Sequence, residues 1–472
     1  MKWKAASLST LLLAIGLTWA DEEAKIEVSR PTFTAFHEFG RFEKALFENY
    51  SPIHTQWMHR TGGWINFTAK KNDRLGLDLL IGGVYYIPTY QQPSELPTKI
   101  RYFAGSVPRM DVSYLFGDPT APTLRLDAGI FSYKYNDYSR NLGEYMYRSG
   151  TYPGWLFTGA PGGITYLDAS MAQVTGLKAS QTFGKFSHDI LLNLETEIVP
   201  TFDVNLSYMA KLNLGGVLKL GTGVQLTRIL PARPSKTNPD APGNHYFKYQ
   251  GKWYTDKKNY YTLLQQGAAG TPDTVTYARD VGIVDSISKG LLKGTDSSNY
   301  SASGIKPVFT AAFDPKPLLG LEILGPNDLV LYGEAALLGF TDYPVLYEKK
   351  SERIPVMLGF NLPAFKILDV LAVEVEHYGS KFPNSTSEVQ SSGVPQPTIP
   401  TTIKDFKPTD WTQDDWKWSI FAKKKVFDGF TVVGQVARDH ARGYEYPTGK
   451  DYYELFPKKE HWYWLMKLIV NI

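Results

Sequence analysis

Alternation with a period of two runs through most of this chain and restricts its fold more than any other feature. From Arg74 to Ile87, Leu75, Leu77, Leu79, Ile81, Tyr85 and Ile87 share one face, while Arg74, Gly76, Asp78, Gly82 and Tyr86 share the other. Successive side chains of a strand point to opposite faces, so this is a ribbon with one apolar side and one mostly polar side. Thr201–Leu212 behaves alike: Phe202, Val204, Leu206, Tyr208, Ala210 and Leu212 alternate with Asp203, Asn205, Ser207, Met209 and Lys211. In His188–Ile198, Ile190, Leu192, Leu194 and Ile198 oppose Asp189, Asn193, Glu195 and Glu197. The same reading covers Pro31–Gly40, Gly63–Lys70, Arg101–Phe116, Thr123–Lys134, Tyr166–Phe183, Val217–Leu230 and Lys306–Phe313. It continues through Leu329–Phe340, Arg353–Asn361, Leu368–Tyr378, Trp416–Lys423, Phe430–His440 and His461–Ile472, sixteen strands in all. Their length, about ten residues, is what a tilted strand needs to cross a bilayer.

A soluble β-sandwich is also built from half-buried alternating strands. Two features favour a closed barrel. The polar face carries full charges in mid-strand, such as Asp127, Glu195, Glu334, Glu374 and Glu376. The connections also alternate in length. Short ones fall at Lys71-Asn72-Asp73, Gly117–Pro122, Gly184-Lys185, Asn213-Leu214-Gly215, Leu362–Lys366 and Lys425–Gly429, with Asp314–Asp328 longer. Between them lie long connections at 41–60, 88–100, 135–165, 231–305, 341–352, 379–415 and 442–460; one, Val199-Pro200, is short. Short turns on one side and long loops on the other, with an even strand count, are the pattern of an outer-membrane barrel. Trp411, Trp416 and Trp418, and again Trp462, Tyr463 and Trp464, stand where strands leave long loops, as interfacial aromatics do.

The first twenty residues differ in kind. Lys2 and Lys4 precede an apolar run from Ala5 to Ala20, and Thr18 and Ala20 are small residues before Asp21. This predicts a secretory signal peptide over 1–20 and a barrel over 21–472. No later apolar run reaches about 18 residues, so no helix is expected to cross a membrane. The chain of 472 residues has no cysteine, which excludes disulfides, thiol catalysis and lipoprotein anchoring. A net charge of +3 argues against a nucleic-acid partner.

Over residues 30–472 the chain resembles, in architecture and not in motif, a Gram-negative outer-membrane porin of the sixteen-strand general type. Porins usually end in Phe; this chain ends in Ile472. The resemblance implies a single closed antiparallel transmembrane β-barrel, of 14–18 strands at the limits of the count, with short periplasmic turns and long extracellular loops. It implies location in the outer membrane after export, contact with lipid and lipopolysaccharide, insertion by the barrel assembly machinery, and a homotrimer. It implies passive diffusion of small hydrophilic solutes through a water-filled channel. No plug or periplasmic domain is expected beside the barrel.

In such porins the third external loop folds inward and sets the pore size. Here that loop is 135–165. Asn141–Arg148 reads as two helical turns closed by Gly150, which would place Arg140, Glu144 and Arg148 on one face. Tyr145 and Tyr152 add aromatics, so the expected constriction residues are Arg140, Glu144, Arg148, Tyr145 and Tyr152. In the fifth loop, His245–Tyr254 reads as a hairpin about Gln250-Gly251, and Val275–Leu292 as a helix. The inward mid-strand charges are Asp78, Arg125, Asp127, Asp189, Glu195, Lys219, Glu334, Glu374 and Glu376. Acids outnumber bases there, which predicts a modest cation preference. The outward set includes Leu192, Leu194, Val204, Leu206, Leu220, Val224, Val373, Val375, Leu468 and Val470, with Val204 expected near mid-bilayer.

No HExxH, GxSxG, P-loop or dinucleotide fingerprint occurs. The chain therefore reads as a non-enzyme, with no catalytic residues, cofactor or metal. An adhesion barrel, or a saccharide-specific channel using the aromatic loops, is the alternative function.

Overall fold

The computed structural model describes 26–47, 51–53, 56–88, 102–148, 172–196, 202–233, 303–320, 322–340, 350–377, 416–439 and 459–472. In the long connections it also describes 246–249, 252–255, 275–277, 295–296, 442–445, 450–454 and 456.

Sixteen strands form one closed antiparallel ring in chain order. They are β1 (Thr32–Phe47), β2 (Gln56–Lys71), β3 (Leu75–Pro88), β4 (Tyr102–Asp118), β5 (Ala121–Tyr133), β6 (Ala172–Phe183), β7 (Phe186–Leu194) and β8 (Val204–Leu214). Then come β9 (Leu218–Leu230), β10 (Gly304–Phe313), β11 (Leu331–Ala336), β12 (Val356–Asn361), β13 (Val370–His377), β14 (Trp416–Phe427), β15 (Phe430–Arg438) and β16 (Trp462–Asn471). Each expected strand is present. A short extra strand, Ile26–Val28, pairs with β2 outside the ring.

Turn chemistry sets the tight end of the ring. Asn72 and Asp73, at φ 51° and 53°, form a turn in which Arg74 N–H donates to the Lys71 carbonyl at 3.2 Å. Two left-handed central residues match the twist of the flanking strands. Gly429, at φ 86°, turns β14 into β15. The longest of these connections carries the helical turn α1 (Lys316–Leu319) and is tied by Asp328, whose carboxylate accepts from the backbone N–H of Gly325 and Phe365 at 2.8 and 3.1 Å.

Strand lengths depart from the expected ten. β1 and β2 each run 16 residues, while β11 and β12 have 6. The ladder of β11 with β12 stops at Ala335–Val356 because Pro355 comes next. Proline has no N–H to donate, and it contributes only its carbonyl, to Ala336 N–H at 3.2 Å. In the fifth loop Tyr246–Tyr249 and Lys252–Thr255 form the expected hairpin. Val275–Tyr277 is a strand beside it, paired parallel to Lys252–Thr255, and not the start of a helix. The seventh loop lies outside the described residues.

The outer wall is apolar. Leu192, Leu220, Val375 and Val470 are 37–41% exposed, and the other six residues of the expected outward set are half-exposed. Val204 needs a correction: it is the first residue of β8, at a strand end. Val224, midway along the 13-residue β9, is the mid-strand position.

The ring closes where β16 meets β1, from Thr34–Asn471 to Lys44–Trp462. The backbone of Ile472 exchanges two bonds with Phe33, both 2.8 Å. On the inner face Glu38 lies directly between Arg60 of β2 and Lys467 of β16. Its buried carboxylate accepts from Arg60 Nε at 2.6 Å and pairs with Lys467 Nζ at 2.9 Å. Removing the shared member of such a buried group is costly, so Glu38→Ala should lower stability by about 3–5 kcal/mol in urea titrations of the refolded protein. In lipid vesicles, Val224→Arg should cost about 2–4 kcal/mol and Val204→Arg about 0–1, because the penalty depends on depth.

Candidate functional site

Alternation turns Glu334 of β11 and Glu374 and Glu376 of β13 to the inside, where each is 1–3% exposed. A buried carboxylate is tolerable only with donors around it. The donors come from the third long connection, whose described part is 134–148.

Gly143 and Glu144 both adopt left-handed backbone, φ 79° and 63°. This bends the segment so that successive N–H groups converge, as in an anion-binding nest. Space is close there as well: a Cβ on Gly143 would stand 2.7 Å from Met357 Cε, which would have to move, and 3.1 Å from Glu334 Oε2. Glu374 accepts from the N–H of Arg140 at 2.5 Å, of Asn141 and Leu142 at 2.8 Å each, and from the Tyr332 hydroxyl at 2.9 Å. Glu334 accepts from the N–H of Glu144 and Tyr145 at 2.9 and 2.8 Å. It also takes the Tyr135 hydroxyl at 2.5 Å and Asn136 Nδ2 at 3.0 Å. Each of these two carboxylates thus has four donors. Glu376 receives the Tyr145 hydroxyl at 2.8 Å and the Gly143 N–H at 3.4 Å. A third strand joins through Asp439, just past β15: its carboxylate accepts from Asn141 Nδ2 at 2.7 Å and from the Tyr463 hydroxyl at 2.6 Å. Burial, then the Glu334 charge, raise the Tyr135 phenol well above its ordinary pKa. It therefore remains a donor at any ordinary pH.

Apolar contacts accompany these bonds. Leu142, Tyr145 and Met146 are fully buried and share a cluster with Leu191, Met209, Val308 and Met357 of the wall.

Of the expected constriction residues, Tyr145 and Glu144 are engaged, but not as read. A helical turn spans only Tyr145–Arg148. Glu144 precedes it, and its carboxylate turns back to accept from Asn136 N–H at 2.7 Å. Arg140 contributes its backbone N–H, so Arg140 and Glu144 do not share a helix face. Tyr152 and the Arg148 side chain lie outside the described residues.

The remaining inward charges are dispersed and mostly paired. Arg125 donates twice to Asp127, at 2.9 and 2.7 Å, and Lys178 stands 3.1 Å from the same carboxylate. Asp78 is half-buried opposite Asp111. Asp189 accepts from the Tyr133 hydroxyl at 2.9 Å. Glu195 lies 3.9 Å from Arg228, and Lys219 3.6 Å from Asp137. Arg60, Lys178, Lys306, Lys417 and Lys467 also occupy the inner face, as do the acids Glu38 and Asp111.

Sequence reasoning missed Tyr135, Asn136, Asn141, Tyr332 and Asp439. One signal was present: Met209 and Leu191 occupy inward positions of otherwise polar faces, where only an apolar partner inside the ring justifies them.

No family model and no curated protein matches the chain. Among solved structures, it is similar to engineered variants of the Rhodopseudomonas blastica porin. Two of these show 8% identity, cover 94% of this chain and 100% of theirs, and give TM-scores of 0.40 and 0.39. A structure described as "Asymmetric conductivity of engineered proteins" matches at 9% identity with the same coverage and a TM-score of 0.38. The ring itself, sixteen strands closed in chain order, decides the class. This architecture fits the general porin type.

Hydrogen bonds to a charged acceptor contribute about 1.5–3 kcal/mol each. In Glu374→Ala, amide hydrogen exchange at 140–142 should accelerate by roughly tenfold or more, while Glu144 and Tyr145, held by Glu334, change less.

Proposed function

We propose that the protein is an outer-membrane channel for passive diffusion of small hydrophilic solutes, narrowed by the inward-folded third loop. The observation that carries this reading is the bonding of 135–145 to the inner-wall carboxylates Glu334, Glu374 and Glu376. A segment fixed there lies across the lumen and leaves solutes the space beside it. The apolar outer wall suits lipid and lipopolysaccharide, and the charged inner wall suits water. Residues 1–20 serve export, assembly machinery inserts the barrel, and the barrel assembles as a trimer. The pore wall comprises the inward charges Asp78, Arg125, Asp127, Asp189, Glu195, Lys219, Glu334, Glu374 and Glu376, with Arg140, Glu144 and Tyr145 at the narrowing.

A porin-type barrel fits transport better than catalysis. The paired inner charges give no support to a cation preference, so selectivity is set by whichever charges remain beside the loop.

Planar-bilayer recording tests the channel. Stepwise conductance is expected, and deletion of 136–148 should raise the single-channel value. Absence of conductance both with and without the deletion would favour an adhesion barrel. Equal conductance in both would remove the narrowing role alone.

A further inference from the structure

A cavity of about 170 Å³ lies between the start of the 134–148 segment and the tight-turn ends of β7 to β10. Three lysines border it: Lys185 from the β6–β7 turn, Lys211 from β8 and Lys219 from β9. The register sets Ser187, Lys211, Gly221 and Thr310 side by side across four strands, all at inward parity. Hydroxyl donors therefore lie on both sides of Lys211. Gly221 permits this, since a Cβ there would stand 2.2 Å from Thr310 Oγ1.

Among the described residues one carboxylate faces these ammonium groups. Asp137 approaches Lys211 at 3.2 Å and Lys219 at 3.6 Å, with its two oxygens divided between them. Three lysines against one aspartate leave a formal +2. Asp137 is nevertheless 51% exposed, in a loop backbone anchored one residue earlier, where Asn136 N–H donates to the Glu144 carboxylate. Lys219 is steadied separately, 4.9 Å from the centre of the Tyr138 ring. The arrangement is a cationic alcove with hydroxyl donors, filled from one side by a tethered and displaceable carboxylate.

We propose that this alcove binds a small oxyanion of the phosphate or carboxylate class, which takes the place of the Asp137 side chain. Lysine ammonium groups and hydroxyls are donors suited to such a group. The inference rests on the channel reading only for the route by which the anion arrives.

Calorimetric titration of inorganic phosphate into the folded full-length barrel in detergent reads binding without conduction. One saturable site is expected. Lys211→Gln combined with Lys219→Gln should weaken it on the order of tenfold, the loss of charge-assisted donors. Asp137→Asn should tighten it, since the internal competitor loses its charge; a purely structural role for Asp137 gives no such gain. Lys425→Gln, at the exposed end of β14, should leave it unchanged. If the double lysine variant does not fold, Asp137→Asn and Lys219→Arg, which should retain binding, carry the test. No saturable binding, binding indifferent to both lysines, or binding weakened by Asp137→Asn overturns the proposal. A barrel that binds phosphate yet conducts nothing overturns the channel reading alone. One that conducts but binds no phosphate overturns the alcove alone.

Discussion

Every backbone donor and acceptor of a sheet must find a partner, and a lipid environment offers none. Closure of β16 on β1 meets that requirement here, down to the last residue, where Ile472 and Phe33 bond each other. The rest of the architecture follows from it. A closed ring has no edge, so alternate side chains are committed either to the outer wall or to the lumen. Charges that alternation sends inward cannot be moved aside by local rearrangement. They must be solvated, paired across strands, or supplied with donors from elsewhere. Glu38, between Arg60 and Lys467, takes the second course at the seam itself.

Glu334 and Glu374 take the third, and in doing so they resolve a second deficit. The segment bonded to the wall carries backbone N–H groups with no ladder to satisfy them. The wall carries carboxylates with no cation opposite. Joining the two satisfies both: five backbone N–H groups, of Arg140, Asn141, Leu142, Glu144 and Tyr145, meet two carboxylates. The geometry depends on left-handed backbone at Gly143 and Glu144, which is why an ordinary helix does not form earlier in the segment. Leu142, Tyr145 and Met146 then pack where Leu191, Met209 and Met357 project inward. Hydrogen bonding orients the segment, and apolar burial keeps water from competing for the same carboxylates.

The strands were legible because their signal is local. A period of two, bounded by Asn-Asp or Gly turns, can be read in a window of ten residues, and the even count is compatible with closure. Boundaries were less legible where one residue overrides the pattern. Leu329–Phe340 was read as strand past Ala336, yet Pro355, just before the neighbouring strand, ends the ladder there. The candidate site was legible only in part. Glu334, Glu374 and Glu376 stood out as charges in mid-strand, but their partners lie about 190–230 residues away in the chain. No spacing rule connects Glu374 with the N–H of Leu142. Reading 141–148 as a helix also failed for a physical reason. Its propensity is weak over so short a run, and the wall acceptors offered its first N–H groups a better arrangement.

This use of acids has a consequence for the field inside the barrel. Around a carboxylate with four donors, the oriented dipoles shield it from the rest of the barrel interior. Asp127, held by Arg125 and Lys178, is likewise spent within the wall. Counting inward Asp and Glu therefore overstates the negative potential in the lumen. The cations are not consumed equally. Lys211 and Lys219 share a single exposed aspartate, and Lys185 borders the same cavity. The potential inside the ring near the tight-turn end is set by this local imbalance and not by the chain's total charge. In a lumen with a low-dielectric wall, such an imbalance acts at short range with little screening.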